Sequence, residues 1–332
     1  MKAIQTHEKG GPETLKLDEV EVPTPGKGQV LVDVKACAIN YPDTLMIRDL
    51  YQFKPERPYS PGGEIAGLIE AVGEGVSGYS VGDRVMAGIG NGGLREKAIV
   101  PADRMFPVPA GVPFEKAASL LMTYGTTIHG LKDRGHIEES DTVLVLGAAG
   151  GVGLSAVELA KAFGARVIAA VSSEAKGEVA RKAGADEVVI YPRGEMDKDA
   201  SKALSAKFKE ATGPEGANIV YDIVGGQYSE PALRSIAWEG RFLVVGFPAG
   251  IAKIPLNLTL LKSCDICGVF WGAFTAREPE KFRAQVEELF DLMQAGKIDP
   301  LVSETFPLER AGEAIAKLEN REAVGKLVVT MD

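Results

Sequence analysis

The chain reads as an α/β protein with a β-rich N-terminal unit followed by a doubly wound, parallel-sheet unit. Two observations predict this. Up to about Ala110, short alternating or apolar segments at 30–36, 64–72, 84–87 and 94–100 are separated by Gly and Pro, which is strand behaviour without helices. From about Glu115 the pattern changes to helix, strand, helix, strand, with compact apolar strands at 143–146, 167–171, 187–190, 219–224 and 241–245. Such alternation predicts a parallel sheet covered by helices on both faces. Beyond Val245 the pattern is mixed, with an amphipathic helix over 279–294 and a last strand over 326–330. The expected division is therefore 1–120 for the first unit, 121–263 for the parallel-sheet unit, and 264–332 for an edge strand and a return to the first unit. No fixed-period repeat, low-complexity tract or long linker interrupts the chain.

A length of 332 residues suits about two folding units. Hydrophobic residues at 45% and charged residues at 25% match an ordinary globular enzyme rather than a disordered or membrane-inserted chain. A net charge of -9 without a basic patch argues against nucleic acid and anionic membrane surfaces as partners. The start, Met1-Lys2-Ala3-Ile4-Gln5, carries no leader pattern, so the cytoplasm is the expected location. The pair Cys264 and Cys267 invites a redox or metal reading, but it sits in a segment that reads as strand. Cys37 alone cannot complete a four-ligand site around it.

The strongest motif begins where Thr142-Val143-Leu144-Val145-Leu146 runs into Gly147-Ala148-Ala149-Gly150-Gly151-Val152-Gly153 and then into a helix. A strand, a turn poor in side chains and a helix N-terminus aim backbone N–H groups and the positive helix end at a pyrophosphate. In the G-x-G-x-x-G register Ala148 replaces the first glycine, Gly150 permits close approach of phosphates, and Gly153 permits tight helix packing. Ala149, Gly150, Gly151, Val152 and Gly153 are accordingly the first dinucleotide-binding candidates.

Cofactor choice is read at the end of the next strand, where an NAD enzyme presents a carboxylate to the ribose 2′-hydroxyl. Here stand Ser172 and Ser173, with Lys176 nearby. Small hydroxyls and a cation suit a 2′-phosphate, so NADPH is the expected cofactor, with Glu174 one residue further on as the opposing feature. Asp222 reads as a structural strand-end carboxylate of a later strand.

At this point the sequence resembles the medium-chain dehydrogenase/reductase superfamily, and within it the zinc-independent, ζ-crystallin-like NADPH:quinone oxidoreductases. The residues that carry the resemblance are Ala38-Ile39-Asn40-Tyr41-Pro42-Asp43, Pro61-Gly62-Gly63-Glu64-Ile65-Ala66-Gly67, Val81-Gly82-Asp83-Arg84-Val85, Thr123-Tyr124-Gly125-Thr126, the glycine turn, and Leu318-Glu319-Asn320-Arg321 with Gly325-Lys326. It implies a GroES-like catalytic domain, a Rossmann domain inserted in the middle, and one cleft between them. It also implies that Asn40 and Thr126 lie near the nicotinamide and ribose and act in catalysis. Tyr191 with Lys176 and Arg321 would lie by the adenosine phosphate, and Gly246, Phe247, Phe270 and Trp271 along the nicotinamide end. Each has a structural alternative: a surface aromatic for Tyr191, a solvated charge for Arg321, plain packing for Phe270 and Trp271.

The zinc-dependent relatives hold their metal with a cysteine and a histidine where this chain has Asn40 and Gly63, and neither can ligate as a thiolate or imidazole would. No metal is expected. Without a Lewis acid to polarise an alcohol or carbonyl oxygen, hydride transfer calls for an acceptor that is already electrophilic, a quinone or an activated alkene. Tyr41, Tyr51 and Tyr124 are the substrate-side candidates, because phenols stack on flat acceptors and donate to their oxygens. Tyr51, in a loop, is the first choice and also a catalytic candidate, against the alternative of a mobile loop aromatic. His129, on a predicted helix, reads as packing or capping.

Three functions follow: an NADPH-dependent quinone oxidoreductase, an enone or enoyl-thioester reductase, and a non-catalytic NADPH-binding protein of the crystallin kind. A thioester of coenzyme A would favour a basic entrance, which this acidic chain does not show clearly. The apolar segment at Cys264 is expected to form an edge strand that pairs across a twofold axis, making a homodimer.

Overall fold

A computed structural model describes residues 1–331, which divide into two compact units: Met1–Met122 joined by the tail from Pro300, and Thr123–Asp299. The first unit opens with the antiparallel pair β1 (Lys2–Gln5) and β2 (Lys16–Glu19), then β3 (Gln29–Ala38). A short helix α1 (Tyr41–Met46) follows, then β4 (Glu64–Val72), β5 (Arg84–Gly88), β6 (Lys97–Pro101) and β7 (Met105–Pro107), with α2 (Phe114–Ala117) and α3 (Leu121–Ile128) leading out. Alternating Val residues bury one face of β3 almost completely, as the period of two predicts.

The second unit runs β8 (Thr142–Leu146), α4 (Gly151–Ala162), β9 (Arg166–Val171), α5 (Glu174–Lys182), β10 (Glu187–Ile190), α6 (Lys198–Thr212), β11 (Ala217–Asp222), α7 (Ser229–Leu233) and β12 (Ile236–Val244). It ends with α8 (Asn257–Lys262), β13 (Asp265–Gly268), α9 (Trp271–Arg277) and α10 (Pro279–Gln294). All six strands are parallel, in the order β10-β9-β8-β11-β12-β13. The order reverses direction beside β8, and ligands of such sheets bind at the carboxyl ends of the strands at that switch point. Local chemistry explains several helix ends. Ser173 caps α5 by accepting from Lys176 N, Asp197 caps α6 by accepting from Ala200 N, and Gly213 at φ +78° ends α6.

The tail returns as β14 (Val302–Pro307), α11 (Ala311–Glu319) and β15 (Lys326–Thr330), completing a sheet ordered β14-β15-β3-β4-β5-β7 with β6 also paired to β3. Two registers matter for function: β15 lies antiparallel to β3 with Val328 opposite Ala38, and β3 to β4 with Ala38 opposite Glu64. Sequence positions separated by hundreds of residues thereby meet at residues 38–40, 64 and 326.

The edge strand expected from residue 264 is β13, and the return to the first unit follows only at Pro300. β13 adds to the outer edge of the parallel sheet, with Arg241 opposite Asp265 and Val244 opposite Gly268, so β13, α9 and α10 belong to the second unit. The reason is hydrogen bonding: a parallel partner at the sheet edge holds the segment where the hydropathy pattern alone is ambiguous. Among the described residues, no helix is long and apolar enough to cross a membrane.

Candidate functional site

The second unit builds its site around the glycine turn. Gly147, at φ +73°, and Ala148 both donate to Ala170 O (2.9 and 3.2 Å), binding the turn to the neighbouring strand. Gly150 is the N-cap of α4 and provides no side-chain cap, so the leading N–H groups of the helix are left for an external acceptor. The glycines have different causes. A Cβ on Gly153 would lie 2.2 Å from Gly147 O and 2.7 Å from Ala148 Cα, so helix and turn touch backbone to backbone there. A Cβ on Gly150 would meet only Gly147 O, at an ordinary 3.6 Å, so nothing within the chain demands glycine at that place. The bare backbone at Gly150, beside uncapped N–H groups, is the cradle that a pyrophosphate fits. Ala149 corrects the expectation: at 2% exposure it packs the turn and offers almost no surface to a ligand.

At the end of β9, Ser172 and Ser173 take the place of a carboxylate. Ser173 Oγ accepts from Lys176 N (3.4 Å), and Ser172 Oγ accepts from Arg193 Nη2 (3.3 Å). Burial, and then the charge of Arg193, hold the Lys176 ammonium below its ordinary pKa. Tyr191 follows the adjacent strand β10; its N–H donates to Val171 O (2.9 Å) and its ring tilts against Tyr228 at 4.8 Å. Arg193 was not among the sequence candidates, although its position two residues beyond Tyr191 in a neighbouring parallel strand was a usable signal. Arg321, expected beside these residues as a second cation, lies in the first unit just past α11, at φ +59°, with its charge acting on Tyr41. Within the second unit Arg193 lies beside Ser172 and Lys176, because the β9–β10 register places the two strand ends side by side.

Further along the same sheet edge, Asp222 accepts from Val224 N, Gly225 N and Ser229 Oγ, a structural role. Gly246 N donates to Asp222 O (3.2 Å), while Phe247 and Phe270 are 56% and 59% exposed. Trp271 sits edge-on to Phe282 at 5.5 Å, and its Nε1–H is buried without an acceptor. A Cβ on Gly125 would come within 2.8 Å of that nitrogen, which places Trp271 directly beside α3, where Thr126 is half-buried. Tyr124 is not available to a substrate. It is 2% exposed and its hydroxyl donates to Glu158 Oε2 at 2.6 Å; the same oxygen accepts from Asp299 N (3.0 Å). An aromatic on α3 faces the unit's interior, and a buried phenol takes the nearest carboxylate. His129 stacks on Phe274 at 4.0 Å, with Nδ1 at 2.7 Å from Asp133 Oδ2, in keeping with packing.

The first unit contributes a buried polar cluster. Asn40, 6% exposed, donates through Nδ2 to Ala38 O (3.3 Å) and Glu64 Oε2 (3.0 Å), and its Oδ1 accepts from Lys326 Nζ (2.6 Å). Lys326 Nζ also donates to Ile39 O (3.1 Å) and lies 3.8 Å from Glu64 Oε2. Asp43 accepts from Asn40 N (2.8 Å) and Gly62 N (3.0 Å), and Glu64 Oε1 accepts from Met122 N (2.9 Å). Asn40 thus has every polar atom of its side chain engaged. Lys326, Glu64 and Asp43 were missed as candidates; the signal was Glu64 and Lys326 opening otherwise apolar strands and Asp43 buried in the first turn of α1. Tyr41 and Tyr51 are half-buried, and burial raises both phenol pKa values, with the Asp43 charge adding to the effect on Tyr51.

The residues at the expected ligand places do not fit zinc: Gly63 has no side chain, Asn40 is already bonded, and an ammonium occupies its acceptor. Among the described residues no group of three or more His, Cys, Asp or Glu could hold a metal ion.

The alcohol dehydrogenase GroES-like domain model matches residues 26–110, and the zinc-binding dehydrogenase model matches residues 151–294. Over 332 residues the chain is 37% identical to a quinone oxidoreductase-like protein 2 homolog of Nematostella vectensis, covering 99% of this chain and 88% of that one. The chain belongs to the quinone oxidoreductase family of medium-chain dehydrogenases/reductases. Another relative of this family member is the quinone oxidoreductase of Rattus norvegicus, 32% identical with 100% and 98% coverage. Among solved structures, the Escherichia coli quinone oxidoreductase complexed with NADPH is 30% identical, covers all of both chains and superposes with a TM-score of 0.90. A mycobacterial protein complexed with NADPH is 34% identical with the same coverage and a TM-score of 0.91.

The polar cluster gives this family member a testable pH dependence. Burial outweighs the accepted hydrogen bonds and raises the Asp43 pKa from 3.8 to about 6. A carboxyl raised in the folded state adds stability below its unfolded pKa, and that stability is lost as pH rises through the folded pKa. Asp43→Asn, which cannot titrate, should therefore narrow its stability gap to the parent between pH 4 and 6. From the shift in pKa the narrowing is on the order of 2–3 kcal/mol. Denaturant midpoints across that range measure it; a gap independent of pH would contradict the assignment.

Proposed function

We propose that this chain is an NADPH-dependent oxidoreductase that passes hydride to a quinone and works without a catalytic metal. The observation that carries the proposal is the uncapped N-terminus of α4 beside the bare Gly150, next to a strand end where Ser172 and Ser173 stand instead of a carboxylate. The NADPH bound in two solved relatives supports the same cofactor here.

Bound NADPH supplies the hydride at its nicotinamide C4. The N–H groups of Gly151, Val152 and Gly153 hold the pyrophosphate, and Ser172, Ser173 and Lys176 hold the adenosine end with Tyr191 alongside. Thr126, Gly246, Phe247, Phe270 and Trp271 orient the nicotinamide end, with the unpaired Trp271 Nε1–H as a ready donor to a ligand oxygen. In the first unit, Lys326 and Glu64 lock the orientation of the Asn40 amide.

Lys326 already supplies a positive charge beside Glu64, and Asn40 and Gly63 replace a thiolate and an imidazole, so the acceptor receives no help from a zinc ion. It must be electrophilic in its own right, which a quinone is. Reduction of a quinone needs two electrons and two protons. The hydride carries both electrons and one hydrogen; the second proton comes from Tyr51, a phenol that is protonated at neutral pH, with water restoring it.

Oxidation of NADPH and NADH by naphthoquinones, simple enones and enoyl-CoA tests this. The expected result is turnover with quinones, preference for NADPH, and a kcat lowered about 10²-fold by Tyr51→Phe. Preference for enones or enoyl-CoA would reassign the chain as a C=C reductase. Tight NADPH binding without turnover of any acceptor would leave it a binding protein.

A homodimer is part of the same proposal. Among the described residues β13 is an edge strand paired only with β12, and Leu256, Leu260 and Leu261 around the preceding helix are exposed. A second copy pairing along β13 would satisfy the open edge and cover apolar surface. Light scattering should give twice the chain mass at micromolar concentration; the mass of a single chain would refute it.

A further inference from the structure

We propose that Arg193 is a specificity-determining residue for the cofactor, gripping the 2′-phosphate together with Lys176 and Ser172. This rests on the NADPH reading above and adds a residue to it.

Three observations lead there. First, Arg193 is exposed and has no carboxylate partner among the described residues; its hydrogen bond is to the neutral Ser172 Oγ. Arg48, Arg166, Arg181, Arg234 and Arg310 each lie within 2.9 Å of a glutamate oxygen, whereas Arg193, like Arg134 and Arg241, bonds a neutral acceptor, and it alone of these three stands beside the serine pair. Second, Arg193 stands close enough to Lys176 for its charge to act on that ammonium. Two cations held together cost electrostatic energy in the free protein, which a doubly charged anion bound between them would relieve. The nearest acidic side chain in sequence to the serine pair, Glu174, is occupied by Arg181 at 2.7 Å.

Third, the loop that carries Arg193 is anchored on several sides. Tyr191 N donates to Val171 O (2.9 Å), Tyr228 Oη donates to Pro192 O (2.9 Å), Gln227 Nε2 donates to Gly194 O (2.5 Å), and Met196 N donates to Gln227 Oε1 (2.8 Å). Pro192 also restricts the backbone immediately before the arginine. The guanidinium is therefore presented from a fixed base, and its planar fork suits two phosphate oxygens at once.

The test uses direct binding, with no acceptor and no turnover. Affinities for 2′,5′-ADP, 5′-AMP, NADPH and NADH are measured by calorimetry on the full chain and on Arg193→Ala, Arg193→Lys and Lys176→Ala. Arg193→Ala should weaken 2′,5′-ADP and NADPH by about 10- to 100-fold, the range of a charge-assisted contact, and 5′-AMP and NADH by less than about twofold. Arg193→Lys should recover part of the loss. If the parent chain binds 2′,5′-ADP no better than 5′-AMP, the NADPH reading itself fails. If the parent discriminates but Arg193→Ala discriminates equally well, NADPH stands and the role of Arg193 is overturned. Residue 193 is exposed, so the fold tolerates its truncation, and a circular dichroism melt checks this.

Discussion

Helix α4 and the turn before it meet backbone to backbone at Gly153, and no side chain can be placed between them. That contact sets the direction of the helix axis relative to β8, and so decides where the uncapped N–H groups point. Everything assigned to the second unit follows from it. β8 lies at the point where the strand order reverses, its neighbour β9 ends in two serines, and the next strand out, β10, delivers Tyr191 and Arg193 to the same edge. A single steric constraint at one glycine thus orients an edge with uncapped backbone N–H groups at one end and the Lys176 and Arg193 cations at the other, an arrangement that suits an anionic dinucleotide.

The first unit depends on a different balance. A buried ammonium is costly unless paired and hydrogen-bonded, and Lys326 meets this requirement with Asn40, the Ile39 carbonyl and Glu64. The same bonds immobilise the Asn40 amide. Charge compensation by side chains leaves a rigid polar cluster, and under the metal-free reading proposed above it calls for an acceptor that needs no Lewis acid.

Much of this was legible in the sequence. The helix at Pro279–Gln294 and the strand at Lys326–Thr330 matched residue for residue, because both have strong periodicity and a clear stop. The glycine turn was legible because the motif and its strand–helix context encode one backbone path. Other features were not. Tyr124 looked like a substrate-facing phenol, yet which face of α3 it occupies depends on Glu158, 34 residues away. Ala149 sits inside a binding motif and is nevertheless packed from view. Lys326 and Glu64 are brought together only by the pairing of β3 with both β15 and β4, a register that no local pattern reveals. Arg193 required knowing that β9 and β10 are neighbours. In each case the missing information was tertiary adjacency rather than residue chemistry.

We propose hydride transfer from NADPH to an electrophilic acceptor without a catalytic metal. Its most direct test is the rate of NADPH oxidation by a naphthoquinone before and after exhaustive chelation, with zinc content measured on the same samples. An unchanged rate at zinc far below one ion per chain is the predicted result. A rate that falls on chelation and returns when zinc is added back would contradict it.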